Sequence, residues 1–293
     1  MIWGCSFVVN KMALQFVSPL LFNAVRLTLA TVVLVVFYRR NLAQLTVPAF
    51  RAGAVVGFFL FLGYELQTTG LQLTTPSKSA FLTGISAVLV PVVLLVFWKT
   101  HIRPWRAAGI AAALAGLFLM AIPPGSRGIA DFAHVNAGDL LTIGGAFAFA
   151  FQIVFLGRAA QRFPFEQMAV LQIGVAAVLM LPSAPLLEHP HLQPTPTLGM
   201  AILFTGIFST AIAFSVQAWA QQFTPATHAA LIFTLEPVFA WLASFVLFRE
   251  RLGMRGGAGA LLILAGVLVS ELLGNVSLPD DKPPESGPSG ASR

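Results

Sequence analysis

The sequence predicts an all-α integral membrane protein of ten transmembrane helices, arranged as two inverted five-helix repeats. Three observations carry that prediction. The chain is 57% hydrophobic and 10% charged, whereas a soluble domain carries about 25% charged residues. Its apolar residues fall into ten runs, each close to the roughly 20 residues that a bilayer-spanning helix needs. Part of the sequence also recurs about 150 residues further on. Gln67, Gln72, Thr74 and Ala80 return as Gln217, Gln222, Thr224 and Ala230, and Gly109, Leu114, Ala115 and Gly116 return as Gly259, Leu264, Ala265 and Gly266. Lys99 corresponds to Arg249, while Pro91 and Pro237 align only when four residues are gapped. Internal duplication in an apolar chain marks a secondary transporter built from two structural repeats, with its substrate at their interface.

The ten runs lie at about 2–17, 20–38, 52–73, 79–98, 104–122, 138–157, 166–186, 197–219, 227–248 and 254–273. The first is short and begins at Met1-Ile2-Trp3-Gly4 without a basic flank, as a helix lacking its natural start would. A cleaved signal peptide is not expected, because no charged n-region or small-residue cleavage site is present. Ser18-Pro19, Arg39-Arg40-Asn41, Thr75-Pro76, Arg103-Pro104, Pro123-Pro124-Gly125 and Phe163-Pro164 supply the breaks between runs. The expected organisation is a first repeat over 1–122, a linker over 123–137 and a second repeat over 138–274. Residues 275–293, rich in Pro, Ser, Gly and Asp, are expected to be a disordered tail. The Asn275-Val276-Ser277 sequon at its edge is read as chance.

The net charge of +6 is spread singly between apolar runs. That is loop charge, which orients a membrane protein; it is not a nucleic-acid patch. With the N-terminus inside, the inner loops hold Arg39, Arg40, Arg51, Lys99, Arg103, Arg106, Arg158 and Arg162. The outer loops hold Lys11, Lys78, Arg127, Arg249, Arg251 and Arg255. The first half favours N-inside and the second half the reverse, as inverted five-helix copies should. Both termini are therefore expected to be cytoplasmic, in a multi-pass protein of the cell's inner membrane. Cys5 is the single cysteine, so an internal disulfide and paired-cysteine metal sites are excluded. No phosphate loop, nucleophile elbow or carboxylate cluster is present. An enzyme, a metal site and a cofactor are accordingly not expected.

Arg26 and Glu65 interrupt apolar helices, where a charge costs roughly 2.5–3.5 kcal/mol on insertion scales. Both should lie in the outer half of the bilayer, where they could pair. For Arg26 a structural ion pair leads; for Glu65 that reading and a substrate or proton contact stand level. Glu65, Thr68, Thr69 and Gln72 form one polar stripe, and Thr205, Ser209, Thr210, Gln217 and Gln221 cluster in a similar way. Each stripe either lines a cavity or bonds neighbouring helices. Glu236 precedes Pro237, which removes a backbone donor. It reads either as a proton or ligand site, or as a carboxylic acid that braces the kink. Gln152 is a lone polar group with the same two readings. Gly109, Gly116, Gly259 and Gly266 read as packing positions. Trp3, Trp219 and Trp241 are candidate cavity walls, and Arg249-Glu250-Arg251 a loop ion-pair cluster.

Ile2-Trp3-Gly4-Cys5-Ser6-Phe7 resembles the opening of EamA-type proteins of the drug/metabolite transporter superfamily. So does Leu235-Glu236-Pro237-Val238-Phe239-Ala240 followed by Arg249-Glu250-Arg251-Leu252. Ser79-Ala80-Phe81-Leu82-Thr83-Gly84 and Val90-Pro91 look like the matching stretch of the first repeat. The resemblance extends to about residue 273. It implies two EamA repeats and a cavity walled by helices 1, 3, 4, 6, 8 and 9, with Trp3, Asn10, Glu65, Gln67, Gln152, Gln217 and Glu236 on those helices. It also implies export of amino acids, other metabolites or drugs. The Lys99–Arg106 connector departs from the pattern, for it lacks the acidic partner of the Arg249-Glu250-Arg251 end. The expected function is secondary transport of a small metabolite by alternating access, with proton coupling through Glu236 or Glu65 left open. A lipid-linked-sugar flippase and an uncoupled facilitator are the alternatives. The expected partners are the lipid bilayer and a small-molecule substrate, with a homodimer left open.

Overall fold

A computed structural model of the chain describes residues 2–74, 76–99, 104–121, 136–236, 238–239, 242 and 254–274. Helices dominate. They are α1 (Ile2–Ala13), α2 (Pro19–Leu42), α3 (Val47–Leu73), α4 in two pieces (Pro76–Gly84 and Ser86–Trp98) and α5 (Pro104–Ala121). Then follow α6 (Ala137–Ala160), α7 (Phe165–Leu187), α8 (Pro196–Ala220), α9 (Ala226–Phe233) and α10 (Met254–Gly274). Six helical stretches are long and apolar enough to cross a membrane: α2, α3, Ser79–Trp98 within α4, α6, α7 and α8. The protein is thus a multi-pass, all-helical membrane protein. α5 and α10 contain shorter apolar helices, Pro104–Leu119 and Gly257–Val269.

Three of the prolines that break the sequence pattern start helices, and Pro196 does so as well. Pro19, Pro76, Pro104 and Pro196 each occupy the first helical position, where a missing N–H costs nothing and the fixed φ is already helical. Polar caps mark the starts of α3, α6 and α8. Thr46 accepts from the Ala49 N–H, Thr195 from the Leu198 N–H, and Asn136 with Asp139 forms a full capping box on α6. Because Thr46 caps α3, that helix begins earlier than the expected residue 52, and Arg51 lies on its exposed first turns rather than in a loop. α1 ends at Ala13, short of the expected residue 17. The linker over 123–135, Pro237, Trp241, Arg249-Glu250-Arg251 and the tail with Asn275 lie outside the described residues.

Glycines set the closest helix contacts. A Cβ built on Gly116 would lie 2.5 Å from the Gly259 carbonyl oxygen, and one on Gly266 would lie 2.6 Å from that of Gly109. The pairing is reciprocal and runs in opposite chain directions, so α5 and α10 pack antiparallel through the duplicated glycines. α3 and α6 meet in the same way: the Cβ of either Gly70 or Gly138 would lie 2.6 Å from the other's carbonyl oxygen. Lipid supplies no hydrophobic drive for helix association, so small residues that allow close backbone packing do that work. α2 and α3 pack on α7, and buried Leu27, Leu60, Ile173, Met180 and Phe214 fill the space between them and α8.

Two helices tighten at corresponding places. In α4 the Ile85 backbone stays helical while its N–H donates to the Leu82 carbonyl three residues back, and after α9 the Thr234 and Leu235 N–H groups donate to the Leu231 and Ile232 carbonyls in the same way. Ile85 and Leu235 are separated by the same interval as the duplicated glutamines. α8 carries a third irregularity, a wide π-type turn over Phe204–Ile212.

Candidate substrate cavity

The tightened turns of α4 and α9 border a cavity whose empty space, together with the open solvent at its mouth, is about 670 Å³. Gly84 and Ser86, on either side of Ile85 in α4, and Phe233 and Glu236, on either side of the α9 turn, all face it.

One wall is a run of touching aromatic rings. Phe233 meets Trp3 at 5.0 Å between ring centroids, and Trp3 meets Phe214 at 5.1 Å. Phe214 meets Tyr64 at 5.9 Å, and Tyr64 meets Phe149 at 5.5 Å. The Trp3 indole N–H donates to the Ser209 carbonyl at 2.8 Å, which ties α1 to the wide turn of α8. Arg26 ends the run, its guanidinium carbon 4.1 Å from the Tyr64 ring centroid.

Beside it the lining is built from amides and hydroxyls. Gln67 Nε2 donates to Thr83 Oγ1 at 2.9 Å. Gln217 Nε2 donates to Gln152 Oε1 at 3.4 Å, and Gln152 Nε2 donates on to Gln172 Oε1 at 2.8 Å. The duplicated glutamines therefore each bond a neighbouring cavity helix, α4 for Gln67 and α6 for Gln217. Asn10 Oδ1, Gln217 Oε1 and Arg26 Nη2 are buried and have no hydrogen-bond partner. A buried polar atom left without a partner costs free energy, and these three belong to residues that line the cavity.

Of the eight residues singled out from the sequence, Trp3, Asn10, Arg26, Gln67, Gln152, Gln217 and Glu236 share this cavity. Glu65 does not. It follows Tyr64 on α3, and a helix turns about 100° per residue, so its side chain leaves the cavity and lies against Ser183 of α7. The expected Arg26–Glu65 pair is absent. Arg26 Nε donates instead to Asn23 Oδ1 at 2.9 Å and Nη1 to Thr210 Oγ1 at 3.2 Å. The Glu65 stripe also serves other ends: Thr68 bonds Asn23 of α2, and Gln72 is exposed. On α8, Thr210 receives Arg26 and Gln221 donates to the Ile153 carbonyl, leaving Gln217 as the stripe's cavity residue. Trp219 is 51% exposed and is no cavity wall.

The sequence reading missed Tyr64, Phe149, Phe214 and Phe233. Tyr64 stands three residues before Gln67, hence on the same helix face, and that spacing was the available signal. Phenylalanine in an apolar helix carries no comparable signal, since lipid and core favour it alike.

Where α1 and α3 end, the two helices are tied together. Lys11 Nζ donates to the carbonyls of Leu71, Gln72 and Thr74 at 2.8, 3.2 and 2.9 Å. These are the last carbonyls of α3, which lack helical partners and favour a cation. Nearby, Val17 bridges Leu192, and Glu188 accepts from the Leu20 and Leu21 N–H groups. Thr74 Oγ1 donates to Asp139 Oδ1 at 2.8 Å.

The comparisons with known proteins decide the family. The description of the EamA-like transporter family matches residues 1–122 and 136–272. The chain belongs to the EamA-like transporter family. A relative from Archaeoglobus fulgidus, named an uncharacterized transporter, is 30% identical over 93% of this chain and 83% of its own. A probable amino-acid metabolite efflux pump of Salmonella typhimurium is 26% identical over 92% and 91%. An S-adenosylmethionine/S-adenosylhomocysteine transporter of Chlamydia trachomatis is 24% identical over 85% and 79%. One crystal structure of a protein superposes with a TM-score of 0.75 over 93% of both chains at 20% identity, a likeness of fold. This EamA-family protein is a membrane transporter.

Proposed function

We propose that the protein exports small metabolites from the cell by alternating access, with the cavity between its halves as the substrate site. The observation that carries this reading is one polar cavity lined from both halves of the chain, with the duplicated Gln67 and Gln217 both on its wall. Transporters of this kind bind substrate at the repeat interface. The proposed architecture is ten spans in two inverted repeats, 1–122 and 138–274. The antiparallel α5–α10 contact through duplicated glycines supports it, because two equivalent helices that meet antiparallel are related by an axis lying in the membrane plane. Both termini are placed in the cytoplasm of a cell's inner membrane. In that orientation Lys11 closes the outer end, and the release of its three carbonyls is part of opening outward. Glu236 is proposed to carry the coupling proton. The names of two relatives, an amino-acid metabolite efflux pump and an S-adenosylmethionine transporter, support substrates of metabolite size.

The test is a metabolite profile of cells overexpressing the protein against an empty vector. At least one small metabolite should fall inside the cells and rise in the medium. Unchanged pools on both sides, with the protein present in the membrane, contradict export.

A further inference from the structure

Arg26 is 1% exposed and sits on α2, which otherwise contributes nothing to the cavity wall among the described residues. Its guanidinium is held from three directions by neutral groups. Nε donates to Asn23, Nη1 donates to Thr210, and the Tyr64 ring covers one face. No carboxylate among the described residues lies within ion-pair distance of it, and Nη2 is left without a partner. A buried charge normally requires an opposite charge, since its hydration has been given up. The π face of Tyr64 and its hydroxyl offset part of that cost, and Arg26 is itself a lining residue of the cavity.

We propose that Arg26 Nη2 seats the carboxylate of the transported metabolite, whose apolar or aromatic body rests on the wall formed by Tyr64, Phe214, Trp3 and Phe233. This deepens the transport reading by naming its substrate class. The geometry favours a monoanion over a phosphate. The wall offers no second cation among the described residues to balance a dianion, and the one open nitrogen makes a single hydrogen bond in place of the fork that carboxylates and phosphates both accept. Asn10 Oδ1 and Gln217 Oε1 are acceptors without partners, so a substrate carrying N–H or O–H groups beside its carboxylate completes them. The positive charge that the empty site leaves unpaired is then neutralised when substrate enters, and the carboxylate exchanges water for a charge-assisted hydrogen bond.

The experiment uses the detergent-solubilised protein and three probes with one aromatic body and different charge: 3-phenylpropionate, 3-phenylpropionamide and phenethylamine. Affinity is read from the concentration dependence of the unfolding temperature. Phenylpropionate should bind at least about tenfold more tightly than the amide or the amine, the size of one hydrogen bond to a charged group. Arg26→Gln should remove that preference, and Arg26→Lys should keep part of it. The wild-type comparison stands even if a variant fails to fold. The proposal is overturned if the amide or amine matches the carboxylate, if phenylpropionate does not bind, or if the preference survives in Arg26→Gln. Any of these results leaves the transport reading intact, because the metabolite profile tests that separately. A profile showing export of compounds without a carboxylate would overturn the proposal while supporting transport.

Discussion

Gly116→Ala should destabilise the protein by about 1–3 kcal/mol, the usual cost of forcing extra volume into a packed contact, and Gly266→Ala should cost the same. At both positions a methyl group would meet main chain. The nearest atoms to a Cβ on Gly116 are the Gly259 carbonyl oxygen at 2.5 Å, then Ile263 Cγ1 at 2.7 Å and the Ile263 nitrogen at 2.8 Å. Around Gly266 they are the Gly109 oxygen at 2.6 Å and the Ala113 nitrogen at 2.9 Å. Main chain within two helices cannot move aside as a side chain can, so α5 and α10 must separate. Gly257 is the control. It lies on the same α10, and a Cβ there would meet nothing within 4 Å. Gly257→Ala should leave the thermal midpoint in detergent unchanged or slightly raised, since alanine is the better helix former. Equal midpoints for all three variants would show that the glycine contact does not hold the halves together.

Glu236→Gln should abolish accumulation against a gradient while leaving exchange of substrate down its gradient. Among the described residues, Glu236 is the carboxyl group on the cavity wall, and it directly follows the tightened turn at Thr234–Leu235. A hinge beside an acidic group lets helix movement change that group's exposure to water. Glutamine has nearly the same shape and keeps hydrogen-bonding capacity, but it cannot take up or release a proton. Uphill transport at parental rate in the Gln variant, at equal expression and with its pH dependence retained, would remove Glu236 from the coupling role. Glu65 is not the next residue to test, because it faces Ser183 and not the cavity.

The glycine contact was legible in the sequence because its two members are copies of each other, and duplication shows in a single chain. Trp3, Gln67, Gln217 and Glu236 were legible as polar or aromatic exceptions within apolar helices. The facing of α3 was not. Glu65 and Gln67 were both placed on a cavity helix, yet two residues on a helix point about 200° apart, so both could not line one wall. Polarity singled out Glu65, whereas packing decided the matter through Tyr64, whose ring lies under Arg26 and against Phe214. The tight turn at Ile85 has no proline beside it. The wide turn at Phe204–Ile212 is held by tertiary contacts, Trp3 on the Ser209 carbonyl and Arg26 on the Thr210 hydroxyl, and by the Thr210 hydroxyl on the Thr205 carbonyl five residues back.

The central claim is that this cavity opens to both sides of the membrane in turn, and Gln217 is the place to ask. It is buried, lines the cavity and comes from the second half of the chain. Cys5 is the single cysteine, so Gln217→Cys in a Cys5→Ser background carries one reactive thiol. Vesicles of either orientation are treated with a membrane-impermeant maleimide, and the labelled fraction is followed in time. Alternating access predicts that the thiol is labelled from both sides, at different rates, and that substrate changes the ratio of those rates. Labelling from one side alone, however long the exposure and whether or not substrate is present, would contradict the account.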